Sequence, residues 1–345
     1  MNKWYELSPK NADLIAVSSR IRLARNVAGL PFPGRMSAAD ETELCRRVRE
    51  AVSSWHAENF TEYNETTPAG TLASLTESHL VSPAFAESGR IRAAFISADE
   101  SVSLMAGEED HLRLQLLGPG LCLEELYARA DRLDDDLCGR LHFSFDAQLG
   151  FLTHCPTNLG CGLRASVMLH LPALSESGGI RRIAERAAKV GVTLRGFFGE
   201  GSTPAGAFYQ ISNQSSLGLS EVEILQRVTE VVEIIIREEQ RLREEYRKAD
   251  PTGMADRVWR AWGLLSYAHR MSTAEAMGLL SDVRLGLSLG ILTQSPAKPL
   301  FALLREIMPA VLDPEGKMTA AERDAARAEL LRKAVSPEKG VTHDV

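Results

Sequence analysis

An alternation of apolar and polar side chains between residues 90 and 145 is the feature that most constrains this fold. It is clearest in the segment 111–116, where leucines alternate with His111, Arg113 and Gln115. Such alternation is typical of strands with one buried face and one polar face. We therefore expect an antiparallel sheet whose polar face lines a ligand site. The strands predicted in this region are 91–96, 102–106, 111–117 and 141–145.

The second part of the chain has a different pattern. A capping box at Ser220 and Glu223 predicts a long helix, which the sequence Asp250-Pro251-Thr252-Gly253 then breaks. The residues beyond this break carry helical patterns and no strand pattern. The predicted fold class is therefore α+β, with an antiparallel sheet flanked by helices in residues 1–249 and an all-α domain in residues 250–345. The other predicted helices are 38–58, 120–139, 181–190, 254–270, 272–281, 297–312 and 320–334, and residues 61–70 are predicted to form a loop.

The composition argues against several classes of protein. The chain has 39 basic and 46 acidic residues, and the resulting net charge of −7 is unfavourable for general nucleic-acid binding. No apolar run reaches the roughly 20 residues of a transmembrane helix, and residues 1–14 lack the apolar core of a signal peptide. Five cysteines without a CxxC pair argue against a disulfide framework or a structural zinc site. We expect a cytoplasmic protein with reduced thiols and no membrane or nucleic-acid partner.

A cysteine followed by a glycine-rich turn, at residues 153–166, is the most distinctive local sequence. Pro156 and the nearby glycines predict a sharp loop whose backbone can approach a ligand closely. Thr157 lies two residues beyond Cys155 and could donate a hydrogen bond to a thiolate. Arg164 leaves the loop as a planar, permanently charged group suited to phosphate. Taken alone, the pattern also fits a buried cysteine beside an ordinary turn.

Two further segments place charged side chains in unusual arrangements. Arg20 and Arg22 alternate with apolar residues, so on a strand both guanidinium groups share one face and repel each other unless an anion lies between them. A solvated basic strand is the alternative. The three successive acids Glu108, Glu109 and Asp110 follow Gly107 at a predicted turn, where acidic residues are usually solvated.

Residues 195–200 form a third segment of interest. Two aromatic residues, Phe197 and Phe198, stand between Gly196 and Gly199, with Arg195 before them and Glu200 after them. This pattern predicts either a mobile loop that closes over a substrate or a plain surface loop. The sequence alone does not separate the two.

These segments together resemble the guanidino kinases, the phosphagen kinase family. The cysteine loop, Cys155-Pro156-Thr157-Asn158-Leu159-Gly160, is similar to the family pattern, with Cys161 where the family has threonine. The segment Ser18-Ser19-Arg20-Ile21-Arg22 is similar to the family's nucleotide-binding strand. The segment from Gly107 to Arg113 resembles the family's acidic turn, with Gly107 in place of asparagine.

The resemblance implies a set of roles for these residues. Glu109 and Glu200 would clamp a guanidinium group, with Glu109 as the base, and the Cys155 thiolate would tune the guanidinium electrostatically. ATP would be the phosphoryl donor, with Mg²⁺ bound through its phosphates and water rather than by a dedicated protein site. The ATP-binding residues implied by the family are Ser18, Ser19, Arg20, Ile21, Arg22, His79, Arg113, Arg164, Ala165, Ser166, Val167, Met168, Arg195, Gly196, Phe197, Phe198 and Gly199.

A narrower resemblance, to the bacterial protein arginine kinases, covers the whole chain. Only 17 residues precede Ser18, whereas phosphagen kinases carry a helical domain of about a hundred residues there. The segment Arg323-Asp324-Ala325-Ala326-Arg327-Ala328 matches a motif that forms a regulatory phosphoarginine pocket in those enzymes. The resemblance assigns Arg323, Asp324, Arg327 and Ala328 to that pocket, with Asp324 orienting Arg327. Spacing alone would indicate a solvated charged helix.

The implied function is transfer of the ATP γ-phosphoryl group to arginine side chains of proteins, which marks them for regulation or for Clp-type proteolysis. The implied partners are substrate proteins with exposed arginines, a zinc-containing activator protein, a heat-shock repressor and a Clp-type protease, and the implied assembly is a homodimer. Two alternatives remain at this point. One is a phosphagen kinase that acts on a free small guanidine, and the other is a non-catalytic adaptor that binds phosphoarginine.

Overall fold

The computed structural model describes residues 2–7, 14–55, 58–196 and 205–335. Its strands are β1 (Ala16–Arg25), β2 (Thr61–Asn64), β3 (Ala93–Ile96), β4 (Val102–Ala106), β5 (Leu112–Pro119), β6 (Phe145–Asp146), β7 (Gly150–Phe151), β8 (Leu163–His170), β9 (Val192–Gly196) and β10 (Phe208–Asn213). Eight of them form one antiparallel sheet in the order β2-β3-β4-β5-β1-β8-β10-β9, and β6 pairs with β7. The long strands β1, β5 and β8 therefore lie at its centre.

α-Helices flank this sheet. Those before residue 250 are α1 (Ala38–Val52), α2 (Ala69–Glu77), α3 (Pro83–Glu87), α4 (Leu123–Leu141), α5 (Pro172–Glu176), α6 (Ile180–Lys189) and α7 (Glu221–Ala249). Those after it are α8 (Pro251–Tyr267), α9 (Thr273–Ser288), α10 (Leu300–Glu306), α11 (Pro309–Leu312) and α12 (Ala320–Val335).

One face of the sheet is apolar and buried. Ile21 of β1 lies opposite Leu116 of β5 and Ala165 of β8, and all three side chains are fully buried. They belong to one core cluster with Leu137 of α4 and Val232 of α7. The alternation in the sequence thus directs every second side chain into this core. The opposite face carries the polar side chains near the middle of the sheet and a second apolar cluster that includes Met105 and Leu117.

The alternation predicted three strands correctly and a fourth wrongly. Segments 91–96, 102–106 and 111–117 correspond to β3, β4 and β5 with shifts of one or two residues at their ends. The prediction for 141–145 is wrong because α4 continues to Leu141, whose side chain extends the buried face that Leu137 provides. Phe143 makes only an isolated bridge, to Val27.

The loop predicted for residues 61–70 is also wrong in part. Thr61–Asn64 form β2, which pairs with β3 at one edge of the sheet. Its side chains are exposed or half-buried. An edge strand of this kind lacks the apolar alternation that a buried face imposes, so its sequence resembles a loop.

The region after residue 249 is helical, as predicted, and contains no strand among the residues that the structure describes. The Asp250 carboxylate accepts a hydrogen bond from the Gly253 N–H at 2.8 Å and caps α8. The helix predicted over 297–312 is divided into α10 and α11, because Pro309 disfavours helical backbone at Met308. None of the described helices is long and apolar enough to span a bilayer.

A buried polar network fixes the helical region against the sheet. His170 of β8 contacts the Ser281 hydroxyl of α9 through Nε2 at 2.7 Å and Arg243 of α7 through Nδ1 at 3.1 Å. Arg243 in turn donates to the Glu239 carboxylate at 2.7 Å. All four side chains are buried. Such a network is stable only when its members stay paired, so it holds α7, α9 and β8 in one arrangement.

Candidate active site

Five arginines converge on the polar face of the sheet, and the strand register explains why. Arg22 of β1 lies opposite Arg164 of β8, and Ala24 of β1 lies opposite Arg113 of β5. Residues directly opposite each other in antiparallel strands point to the same face. The face is completed by Arg195 of β9, which lies opposite Gln210 of β10. The five arginines are Arg20, Arg22, Arg113, Arg164 and Arg195, and they line one cavity of about 770 Å³.

Burial and the crowding of these positive charges lower the pKa of two of the arginines. Burial, together with the charges of Arg164 and Arg113, lowers the pKa of Arg20 to about 10. Burial and the neighbouring arginines also lower the pKa of Arg22 well below its ordinary value. The buried Nε of Arg22 has no hydrogen-bond partner among the described residues. A cluster of this kind is relieved by an anion with several negative charges, which is the chemistry of a triphosphate.

The acidic turn between β4 and β5 places two carboxylates beside Arg113. The Arg113 guanidinium lies 2.6 Å from Glu108 and 3.2 Å from Glu109. The Glu108 side chain is only 2% exposed, whereas the Glu109 side chain is 39% exposed. Glu109 is therefore the carboxylate that a substrate can reach, and Glu108 holds Arg113.

Gly107 begins this turn with left-handed backbone, at φ +83°. Glycine adopts that conformation without strain, and asparagine tolerates it better than most other residues do. The replacement of the family asparagine by glycine is thus compatible with the same turn.

The cysteine loop borders a second cavity of about 220 Å³ that adjoins the first. Its turn is a short 3-10 helix, Pro156–Asn158, and the Cys155 Sγ lies 3.1 Å from the Thr157 hydroxyl. The predicted contact between these two side chains is therefore present. The lining residues common to both cavities are Arg22, Glu109, Arg113 and Arg164.

Asp110 joins the acidic turn to the cysteine loop, a role that the sequence did not reveal. Its buried carboxylate accepts hydrogen bonds from the His154 backbone N–H at 2.6 Å and from Asn26 at 2.8 Å. Its second oxygen accepts one from the Asn158 amide at 3.2 Å. No local sequence signal marks these partners, because they lie 44 to 84 residues away along the chain.

Cys161, the second departure from the family pattern, lies away from the cavity. Its sulfur lies 4.0 Å from the Ser216 carbonyl oxygen, and burial raises the pKa of its thiol. The neighbouring Gly160 has φ +110°, and a Cβ there would meet the Ser216 carbonyl oxygen at 2.7 Å. Cys161 therefore contributes to the packing of the loop and not to the lining of the cavity.

The remaining predicted nucleotide residues fall on both faces of the strands. Ser18, Ser166 and Met168 line a small space at the far end of the arginine cavity together with His79. Burial and the charge of Arg20 lower the pKa of His79 to about 4, so this ring is neutral near pH 7. The side chains on the core face are those of Ser19, Ile21, Ala165 and Val167, all of them buried.

One predicted segment lies outside the described residues. It comprises Phe197, Phe198, Gly199 and the second carboxylate, Glu200. The described part of this segment ends with Arg195 and Gly196 at the end of β9. The pairing of Glu200 with Glu109 stays a prediction.

The predicted phosphoarginine residues lie on α12, and two of them are paired as expected. The Asp324 carboxylate lies 2.7 Å from Arg327, whose side chain is only 1% exposed. Arg327 also donates to the backbone carbonyls of Met271 and Ile307, each at 2.8 Å. Arg323 is more exposed and donates to the Met318 carbonyl at 2.7 Å, and Ala328 is buried. Their role in binding phosphoarginine stays a prediction.

Two family models match the chain. The model described as "ATP:guanido phosphotransferase, C-terminal catalytic domain" matches residues 42–242. The model described as "Protein-arginine kinase McsB C-terminal domain" matches residues 251–343. The first match covers more than half of the chain and, with the fold and the site, defines the class as ATP:guanido phosphotransferases.

Curated relatives show which family within that class the chain belongs to. The protein-arginine kinase of Symbiobacterium thermophilum is 42% identical over 97% of this chain and 97% of its own length. That of Caldanaerobacter subterraneus is 44% identical over 91% of this chain and 95% of its own length. The chain belongs to the protein-arginine kinase family. The predicted family and enzyme class are thereby confirmed.

Solved structures support the predicted fold class. The duplicated taurocyamine kinase from Schistosoma mansoni with bound transition state analog components is 26% identical, with a TM-score of 0.62, and the match covers 79% of this chain and 40% of that one. A lombricine kinase is 24% identical, with a TM-score of 0.61, over 68% of this chain and 69% of that one. The second likeness shows the fold alone.

Proposed function

We propose that this protein transfers the γ-phosphoryl group of ATP to a guanidino nitrogen of arginine side chains in proteins. The observation that carries the proposal is the junction of the two cavities. Cys155 borders the smaller cavity and Arg20 the larger one, and Glu109 lines both cavities. Three arginines also line both, namely Arg22, Arg113 and Arg164. The geometry thus offers a guanidinium site directly beside a triphosphate site.

Glu109 would solve the main chemical difficulty. An arginine side chain has a pKa above about 12, so its nitrogens are protonated and poorly nucleophilic. The exposed carboxylate of Glu109 would orient the guanidinium and accept one of its protons as the new nitrogen–phosphorus bond forms. The bond from the γ-phosphorus to the bridging oxygen breaks, and that oxygen leaves with ADP. We propose Glu200 as the second carboxylate of the clamp.

Cys155 would act without forming a covalent bond to the substrate. A thiolate at this position, held by the Thr157 hydroxyl at 3.1 Å, would lie beside the guanidinium and tune it electrostatically. The substrate would enter the smaller cavity, which Cys155, Thr157 and Asn158 line.

The arginines would bind the phosphates and stabilise the phosphoryl group during transfer. Such preorganised positive groups act where charge redistributes in phosphoryl transfer. The described residues contain no group of three or more His, Cys, Asp or Glu that could hold a metal ion. We propose that Mg²⁺ enters with ATP, bound mainly through phosphate and water oxygens, and that it supplies neutralisation of phosphate charge when bound.

We also propose that the two parts of the chain have different roles. Residues 1–249 would form the catalytic domain, and residues 250–345 a phosphoarginine-binding regulatory domain, as the match of the second family model to residues 251–343 supports. The family resemblance supports a cytoplasmic homodimer with a zinc-containing activator protein, a heat-shock repressor and a Clp-type protease as partners. Substrate proteins would present exposed arginines, in line with the name of the curated relatives.

Incubation with ATP and a basic, unfolded substrate protein tests the activity. We expect a mass increase of one phosphoryl group on arginine, detected by mass spectrometry under mild, non-acidic conditions. Free arginine in a parallel reaction should be a poor acceptor. Efficient phosphorylation of free arginine without labelling of protein would contradict the proposal.

A further inference from the structure

We propose that the C-terminal helical region completes the nucleotide site, with Phe301 and Met308 forming the wall that faces the nucleoside of ATP. The inference rests on the proposed function, because it requires the triphosphate to bind at the arginine cluster. Both residues lie more than 50 positions beyond the catalytic strands in sequence. Neither belongs to the set of nucleotide-binding residues that the motifs identify.

The residues of β1 show in which order the parts of the site are arranged. Ala24 borders the cysteine cavity, Arg22 and Arg20 line the arginine cavity, and Ser18 lies at the far end. These four residues share one face, and each step of two residues advances about 6.6 Å along the strand. With the guanidinium at the cysteine end and the phosphates at the arginines, the nucleoside must lie at the Ser18 end.

The far end of the site is lined by apolar and polarisable side chains. One space is lined by Ser18, His79 and Met168, and Phe301 also lines it. An adjoining cavity of about 340 Å³ is lined by His79, Arg20 and Met308. Flat ligands are commonly held by such mainly apolar walls with a few polar groups, and methionine adapts well to an aromatic surface. The lining therefore suits a purine base.

Phe301 of α10 is held in place by contacts with the catalytic part of the chain. Its ring lies 5.2 Å from that of Trp4. On the same helix, Arg305 pairs with Glu100 at 2.7 Å and lies over the Tyr5 ring, 4.4 Å from its centre. The helix α10 is therefore fixed against the N-terminal residues Trp4 and Tyr5, of which Trp4 also lines the nucleoside end of the site.

Hydrogen bonds to the backbone before and after Met308 fix the position of this residue. Arg327 donates to the Ile307 carbonyl at 2.8 Å. The Glu77 carboxylate, at the end of α2, accepts hydrogen bonds from the backbone N–H groups of Ala310 at 2.6 Å and Val311 at 3.3 Å. The Met308 side chain is buried between these anchors.

These hydrogen bonds also connect the arginine motif of α12, residues 323–328, to the nucleotide site. Arg327 is separated from the wall residue Met308 by one hydrogen bond and one peptide unit. Glu77 connects the same segment to the turn that carries His79. A shift of residues 307–311 would therefore change the width of the nucleoside end.

Binding measurements on the full-length chain can distinguish the contribution of Phe301 and Met308 from that of the phosphate site. Two probes are used, ATP and inorganic triphosphate, because only ATP carries a base. In Phe301→Ala and Met308→Ala we expect ATP affinity to fall about tenfold while triphosphate affinity stays as in the wild type. KM for ATP should rise more than kcat falls. The matched control, Met318→Ala, removes an exposed methionine of the same region and should change neither affinity.

The inference is overturned if both wall variants bind ATP as tightly as the wild type, or if ATP and triphosphate affinities fall together. Hydrogen–deuterium exchange on the wild-type chain gives a test that needs no substitution. ATP should slow exchange in residues 300–312, and triphosphate should not. Equal effects of the two ligands, or no effect of either, would contradict the wall. A wild-type chain that bound neither probe would contradict the proposed function itself.

Discussion

The carboxylate of Asp110 accepts a hydrogen bond from the backbone N–H of His154 at 2.6 Å. This contact joins the residue after Glu109 to the residue before Cys155. Two groups that would act on the same guanidinium are therefore positioned by one buried side chain.

We expect Asp110→Asn to lower kcat for arginine phosphorylation by about tenfold or more, because a charge-assisted acceptor is replaced by a weaker one. An asparagine amide would also face the Asn158 amide, which now donates to Asp110 at 3.2 Å. ATP affinity should change little by comparison, since Asp110 does not line the arginine cavity. Steady-state kinetics with ATP titration measures both quantities. The control is Asp146→Asn, an exposed acid that lines neither of the two cavities. An unchanged kcat would remove the positioning role.

Cys155→Ser should lower the rate of transfer by at least about tenfold, because a serine hydroxyl cannot take the electrostatic role proposed for a thiolate beside the guanidinium. ATP binding should persist, since the arginine cavity is intact. The rate is measured with a protein substrate under saturating ATP. Cys138→Ser, a cysteine of α4 outside the two cavities, is the matched control. Equal rates in the Cys155 variant and the wild type would show that the sulfur has no electrostatic role.

Asp324→Ala should weaken binding of phosphoarginine to the chain about tenfold, because it removes the carboxylate that pairs with Arg327 at 2.7 Å. Calorimetric titration with phosphoarginine measures the change. Glu329→Ala, an exposed acid on the same helix that pairs with Lys333, serves as control. If both variants and the wild type bind phosphoarginine equally, the motif on α12 has only a structural role.

The sequence predicted the parts of the site that depend on local pattern. Alternation placed Arg20 and Arg22 on one face, and a spacing of two residues brought Thr157 to Cys155. The capping box predicted at Ser220 is formed. These features are set by neighbours in the chain, so a pattern of a few residues suffices to predict them.

Features set by distant contacts could not be predicted in this way. The burial of Arg327 follows from its bonds to the Met271 and Ile307 carbonyls, 56 and 20 residues away. Spacing alone indicated a solvated helix there. Phe301 and Met308 showed no signal at all, because nothing in their own segment indicates that the catalytic sheet lies beside them.

The pH dependence of stability tests the network that joins the helical region to the sheet. Burial, together with Arg243 and Arg284, lowers the pKa of His170 well below its ordinary value, so the ring is neutral in the folded chain. The unfolded chain binds this proton near pH 6.5, so the free energy of unfolding should fall as pH drops below about 6.5, by up to roughly 1.4 kcal/mol per pH unit.

Denaturant unfolding of the wild type and of His170→Gln between pH 7.5 and pH 5 measures this slope. The variant should show a shallower loss of stability below about pH 6.5, because it lacks the titrating ring. His79 titrates in the same sense, since its pKa is lowered to about 4, and its contribution remains in both proteins. Identical slopes for the two proteins would mean that His170 is not kept neutral by folding.

The central claim is that Glu109 acts on an arginine held beside the triphosphate. The most direct measurement compares Glu109→Gln with the wild type in phosphoryl transfer to a protein substrate, with ATP affinity measured on the same samples. Glu87→Gln, an exposed acid on α3, is the control. We expect the Glu109 variant to lose activity by about a hundredfold or more while ATP binds nearly as well as before. Full activity in that variant would contradict the account.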